Sequence, residues 1–338
     1  LLLVIILTGV VGAQEKAGTL NAGTFEGVSR VKIFNYEDCV ELKNATARVV
    51  LGHHVGGRLL VYERNGNNVL YLNPKEKDWD PENTSQKKQA SAGRFDVGPE
   101  WLQVRGSAIW SGEWKVEVLG DRKARMTSQV DPDSGLLVHR DFELDKETSR
   151  LTVIQTVENH SEKVVKQCYW SRTFAKHGGV VVIPCDPTSS RMPNLHVMYH
   201  KRYLLDFQPN DPAIRRVDDF LVIDGPTKFP KTGFDSNRSW VGYQTRDDLL
   251  FVKKYRVFSE KQYGEVSGMN LSIWYPTKEK LAACEIEPIG PLETLKPGEK
   301  ATFQTEWWLL DRKFPSSGIV DPVKVGSLIK RKCSIFKK

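Results

Sequence analysis

From residue 47 to residue 310, short runs of alternating apolar and polar residues are broken at close intervals by turn-forming clusters. The clearest run is ARVVLGHHVGGRLLVYERNGNNVLYLNP, residues 47–74, punctuated by Gly56-Gly57 and Asn65-Gly66. Alternation with a period of two puts one side of an extended chain into a core and the other into water. The same pattern returns in WKVEVLG (114–120), RLTVIQTVENHSEKVVKQCYWSRTF (150–174), RSWVGYQTRDDLLFVKKYRVF (238–258), MNLSIWYP (269–276), LAACEIEP (281–288) and KATFQTEWWLL (300–310). Asp131-Pro132-Asp133-Ser134-Gly135, Arg246-Asp247-Asp248 and Lys296-Pro297-Gly298-Glu299 separate strands with turn chemistry. No long amphipathic helix interrupts them. So many short strands predict an all-β fold, a large antiparallel sandwich or barrel. The stretch has no fixed-period repeat of the propeller kind.

Composition agrees with a folded domain: of 338 residues, 40% are hydrophobic and 27% charged, far from a disordered chain. The net charge is +7. Lys324, Lys330, Arg331, Lys332, Lys337 and Lys338 contribute most of it, so the body is near neutral and residues 313–338 read as a basic C-terminal tail suited to anionic envelope material. The first residues, LLLVIILTGVVGA, have the apolar core and small-residue ending of a signal peptide. Cleavage is expected after Ala13, which makes the protein secreted or periplasmic and nucleic acid an unsuitable partner. Residues 14–44 are expected as a lead-in and 45–312 as the sandwich. No transmembrane segment is expected. The five cysteines are scattered; Cys168 and Cys185 either pair or stand as buried thiols.

Two long segments, 73–93 and 186–196, read as loops. His53 and His54 are expected on opposite faces of a strand, and His196 and His200 lack the glutamate of a zinc-protease helix. No motif calls for a metal or cofactor, and no GxSxG elbow or phosphate-binding glycine loop is present.

The order VVLGHHVGGRLLVYERNGNNVLYLNP, GRFDVGPEW (93–101), SNRSWVGYQTRDDLLFVKKY and EIEPIGPLETLKPGEKATFQTEWWLL resembles the galactose mutarotase-like (aldose 1-epimerase-like) superfamily, in a bacterial branch of it. The resemblance covers roughly residues 45–311. It implies a β-supersandwich, two large antiparallel sheets face to face with a sugar cleft on one side. It also implies a carbohydrate-handling protein, acting on a glycan or its sugar product as an epimerase, lyase or hydrolase. The alternative is a non-catalytic carbohydrate-binding or cell-envelope protein with a degenerate site.

Mutarotation needs a base for the anomeric hydroxyl and an acid for the ring oxygen. In proteins of this kind a glutamate near the C-terminal end is the base and a mid-chain histidine the acid. Glu287, before Pro288 and the Lys-Pro-Gly-Glu turn, matches the base; Glu285 lies two residues earlier, on the same face of an extended strand. In one register Ser171, followed by Arg172, stands where the histidine belongs. In another, His160 in Asn159-His160-Ser161 is the acid, and His177 is a further candidate. Arg94, Asp96 and Glu100 in the 93–101 segment, with Arg172, Lys231 and Trp240, are expected to hold sugar hydroxyls and rings, the guanidinium donating and the carboxylates accepting. Trp101 and Trp170 are further stacking candidates. Arg172 and Lys231 together favour an anionic sugar if both face the cleft.

Overall fold

A computed structural model describes residues 25–80, 82–83, 91–100, 106–185, 192, 195–200, 204–207 and 209–333. The expected signal segment, Trp101 and the last five residues lie outside the described residues. The described chain opens with an antiparallel meander, β1 (Val28–Ile33), β2 (Tyr36–Lys43), β3 (Arg48–Gly52), β4 (Arg58–Arg64) and β5 (Asn67–Asn68). There follow β6 (Asp96–Gly98), α1 (Ser107–Trp110), β7 (Lys115–Gly120), β8 (Lys123–Thr127), β9 (Leu136–Leu144), β10 (Leu151–Asn159), β11 (Val165–Trp170), β12 (Phe174–Lys176) and β13 (Val180–Pro184). The second half holds β14 (His196–His200), β15 (Leu204–Asp206), β16 (Ile214–Val217), β17 (Phe220–Ile223), β18 (Lys231–Phe234), β19 (Trp240–Gln244) and β20 (Leu249–Tyr255). It ends with β21 (Leu271–Trp274), β22 (Ala283–Pro288), β23 (Glu293–Leu295), β24 (Lys300–Asp311) and α2 (Pro322–Lys332).

Ten strands form one sheet in the order β16-β17-β13-β19-β20-β24-β10-β9-β8-β7, and six form another, β12-β22-β21-β18-β14-β15. A small β23-β11-β6 sheet adjoins the second, and bridges at Trp170–Ile289, Gly93–Thr173 and Leu70–Ala175 tie it and the meander to that layer. Alternation along β10 and β24 sends Val153, Val157, Phe303 and Trp307 inward, where they join Ile273, Cys284 and Ile286 of the six-stranded sheet in one core. The fold is the expected all-β antiparallel supersandwich.

Three expectations about the chain's ends and loops change. Residues 28–43 are β1 and β2 rather than a lead-in: β2 pairs with β3, and Tyr36, Cys39, Val40 and Leu42 enter the main core. The expected basic tail contains α2. Asp321 caps it by accepting from the Val323 and Lys324 amides, and Pro322 fits the first turn. Val325 and Ile329, four residues apart, pack with Val180, Val222, Leu250 and Trp308 on the outer face of the ten-stranded sheet. His53 and His54 follow the end of β3, so a turn, not a strand, sets their directions. Their rings lie side by side with centroids 4.0 Å apart.

The 73–93 segment carries a 3-10 turn, Pro74–Asp78, whose Glu76 is buried against Arg58 at 2.7 Å. Trp79 packs on Tyr36 with centroids 4.8 Å apart. All five cysteines are buried free thiols, Cys168 and Cys185 included. No helix among the described residues is long and apolar enough to cross a membrane.

Because α2 closes an apolar patch, Ile329→Ala should lower unfolding free energy by about 3 kcal/mol. Asp321→Ala should lower it by about 1 kcal/mol. Urea denaturation of the two variants checks both; equal costs would contradict the packing.

Candidate functional site

On β22 the odd and even residues part company. Cys284 and Ile286 belong to the main core, so Glu285 and Glu287 point to the other side of the sheet, where alternation requires them. Antiparallel register builds two rows there. Tyr199 of β14, Lys231 of β18, Trp274 of β21, Glu285 and Phe174 of β12 stand opposite one another in sequence across the strands. The next row runs Val197, Gly233, Ser272 and Glu287. The segment between β11 and β12 keeps this register, which puts Arg172 opposite Glu287. Trp170 pairs with Asp96 of β6 one step further.

Arg172 is the hub. Its Nη1 donates to Glu287 Oε1 at 2.7 Å, its Nε to Asp96 Oδ2 at 3.1 Å and its Nη2 to Glu100 Oε1 at 3.2 Å. Glu285 Oε1 lies 3.7 Å from Nη1. The guanidinium carbon sits 4.6 Å from the Trp170 ring centroid. Lys231 Nζ donates to both Glu100 oxygens, at 2.7 and 2.6 Å. Glu287, fully buried, also accepts from Ser272 Oγ at 3.1 Å, and that hydroxyl meets Tyr199 OH at 3.2 Å. Beneath Trp170, Glu265 Oε1 accepts from the indole N–H at 2.6 Å and from the Glu100 amide at 2.7 Å.

Water reaches the cluster at one end. The side chains of Glu100 and Lys231 are 29% and 19% exposed, and Trp274 is partly exposed beside them, whereas Arg172, Glu285 and Glu287 are sealed. Burial alone would raise the Glu100 carboxyl, but the charges of Lys231 and Arg172 outweigh it and hold the group at about 2. Glu285 behaves oppositely. Burial and the neighbouring Glu287 charge push it up to about 8, against the pull of Arg172 and Lys231. Burial and the Glu287 charge thus favour the protonated form of Glu285, whereas Lys231 and Arg172 favour the charged form of Glu100. Burial likewise raises Glu265.

The sequence candidates divide. Asp96, Glu100, Arg172, Lys231, Glu285 and Glu287 meet here. His177 does not: its amide bonds to Ala282 O, five residues along β22 from Glu287, about 16 Å of extended strand. Its ring approaches Pro276 O at 3.2 Å. His160 sits at the turn after β10, 3.1 Å from Glu158. Trp240 packs against Phe220 next to α2. Arg94 follows the same face but lies over the Trp110 ring at 3.8 Å and donates to Trp110 O. No histidine among the described side chains faces Glu287.

Sequence reasoning missed Trp274, Ser272, Tyr199, Glu265 and Lys253. Only Lys253 left a signal: in LLFVKKY a strand carries two adjacent lysines, and alternation must turn one of them inward.

No protein-family model and no curated protein matches the chain. Solved structures do. A galactose mutarotase-like protein from Clostridium acetobutylicum is 12% identical over 84% of this chain and 98% of its own, with a TM-score of 0.56. One from Lactobacillus casei is 10% identical over 80% of this chain and all of its own, with a TM-score of 0.53. This chain has the galactose mutarotase-like fold. In this chain the strand face bearing Glu285 and Glu287 is where charged and aromatic side chains converge.

The two shifted carboxyls give stability opposite pH trends. Glu100, depressed in the fold, contributes stability that is present above its unfolded pKa of about 4 and is lost as pH falls through about 2. Glu285, raised in the fold, keeps a proton that the unfolded chain has released, so stability falls as pH rises from about 5 to 8, by at most about 1.4 kcal/mol per pH unit. Glu285→Gln should flatten that upper slope in denaturation series from pH 5 to 8. An unchanged slope would place the proton elsewhere.

Proposed function

We propose that this chain binds a neutral carbohydrate in its mutarotase-like cleft and does not catalyse mutarotation through Glu287. The observation that carries the reading is the ring of four carboxylates around Arg172, opened to solvent at the Lys231–Glu100 pair beside Trp274. A sugar needs acceptors and donors for its hydroxyls and an apolar plate for its ring. Glu100 and Lys231 offer the former at the mouth, and Trp274 offers the latter. Buried ion clusters cost more in desolvation than packed apolar residues would, which favours a functional over a purely structural purpose.

The charge balance argues against a uronate. Both cations belong to the ring, but the charge of Lys231 is already paired with Glu100 and that of Arg172 with Glu287, Asp96 and Glu100, while Lys231 keeps one N–H for a hydroxyl. An added carboxylate would meet an already acidic ring. Glu287 is also a poor base: its two oxygens accept from Arg172 and Ser272, and no water reaches it. One observation favours the catalytic alternative. Glu285 Oε1 makes no hydrogen bond, and burial with the neighbouring Glu287 charge raises the group toward the protonated form an acid catalyst needs.

A glycan array of the chain lacking residues 1–13 tests the reading. Neutral hexose-containing glycans should give the signals, and Trp274→Ala and Lys231→Ala should each weaken binding about tenfold or more, near 1.4 kcal/mol. Preferential capture of uronate glycans would overturn it. NMR of anomer exchange separates the alternatives: glucose and galactose should interconvert at the buffer rate, and acceleration abolished by Glu285→Gln would establish the catalytic one. Export rests on residues 1–13, and amino-terminal sequencing of the cell-derived protein should begin at Gln14. Contact of the basic end with anionic envelope material is also proposed; it should weaken with salt, because Lys324 lies exposed on α2.

A further inference from the structure

Lys253 lies in the middle of β20, 1% exposed, on the strand face that also carries Phe251 and Tyr255 of the main core. Its ammonium sits 4.7 Å from the centroid of Trp307, its neighbour across the ladder on β24. A lysine here has no route to water. Its hydrogen bonds all cross the sandwich to the opposite layer: Ser171 O at 2.7 Å, Thr173 Oγ1 at 2.9 Å, Ser171 Oγ at 3.0 Å and Ile286 O at 3.0 Å.

The identity of those partners matters. Ser171 and Thr173 flank Arg172, and Ile286 stands between Glu285 and Glu287. One side chain therefore holds, from the core side, both chain segments whose alternate residues form the carboxylate ring on the cleft side. The segment around Arg172 lies between β11 and β12, outside either strand. Backbone bonds from Ser171 N to Pro288 O and from Ile286 N to Thr173 O tie it to β22, at 3.0 and 2.8 Å, and Lys253 closes the gap between them. The charged groups around the ammonium are Glu287 and Glu285 of β22 and Arg140 of β9. Burial drives its pKa well down, and Glu287 opposes this. Packing alone does not call for such a group, since an unbranched apolar residue would fill the volume without the desolvation cost.

We infer that Lys253 is a positioning residue for the cleft: from inside the core it pins the segments carrying Arg172 and Glu287, so that the guanidinium stays seated in its ring of carboxylates. This rests on reading the ring as the ligand cleft, yet its test uses no ligand, so failure of the sugar reading and failure of this one are separate results.

The experiment is side-chain hydrogen exchange of the Arg172 Nε–H in arginine-labelled protein, assigned with Arg172→Lys, alongside backbone exchange of β10 and β24. In the wild type the Arg172 proton, held by Asp96, should exchange slowly. In Lys253→Met, which keeps the length of the chain and loses the donors, it should exchange at least about tenfold faster while β10 and β24 keep their protection. The Glu285 titration midpoint, followed by carboxyl NMR, should also rise as Arg172 withdraws. An unchanged Arg172 proton and Glu285 midpoint in folded Lys253→Met would overturn the proposal, as would an equal loss of protection throughout β10 and β24. Should Lys253→Met fail to fold, Thr173→Val removes one acceptor and leaves the lysine. Faster exchange confined to Arg172 supports the proposal, and unchanged exchange overturns it.

Discussion

The contact between Arg172 and Glu287, set by the β12–β22 register and closed to water, is the constraint around which the charged cluster is organised. A guanidinium out of solvent must have its donors filled, and a buried carboxylate needs donors in return. Asp96 and Glu100 from the β6 region, Ser272 from β21 and Lys231 from β18 satisfy these demands. Five separate pieces of chain are thus drawn to one point, with Glu285 left short of a full partner. Removing either Arg172 or Glu287 would strand the others, since breaking a buried pair costs far more than its formation gains.

The same network limits what chemistry is available. Glu287, which the sequence resemblance would make a base, has both oxygens engaged by Arg172 and Ser272, and the residue before Arg172 is a serine, not a histidine. The acidic ring has no spare positive charge for an anionic ligand. What stays partly exposed is a lysine, a carboxylate and an indole, the groups on which the proposed carbohydrate reading rests.

Much of this was legible beforehand, for a physical reason. Period-two alternation is a local property, so strands, turns and the shared face of Glu285 and Glu287 follow from residues a few positions apart. Asp96, Glu100, Arg172 and Lys231 could be named as charged residues near turns that a cleft would use. The histidines misled because spacing along the chain carries no information about distance across strands: His177 is five residues from Arg172 and shares its strand layer, yet sits about 16 Å down the ladder from Glu287. Trp240 failed similarly, being an aromatic whose face is decided by α2, a helix hidden in a stretch read as a charged tail. Residues 28–43 have only a short alternating pattern, and their partner β3 had to be seen before they counted as sheet.

The sequence by itself determined the all-β architecture, the turn positions and the pairing of two acids on one face, because each depends on nearest-neighbour geometry and on the partition of apolar side chains from water. Tertiary structure alone decided which charges meet, which carboxyl burial pushes toward its protonated form and which lysine lies beneath Arg172 and Glu287. Those outcomes depend on strand register between distant segments and on burial, and neither quantity exists until the two sheets have closed on each other.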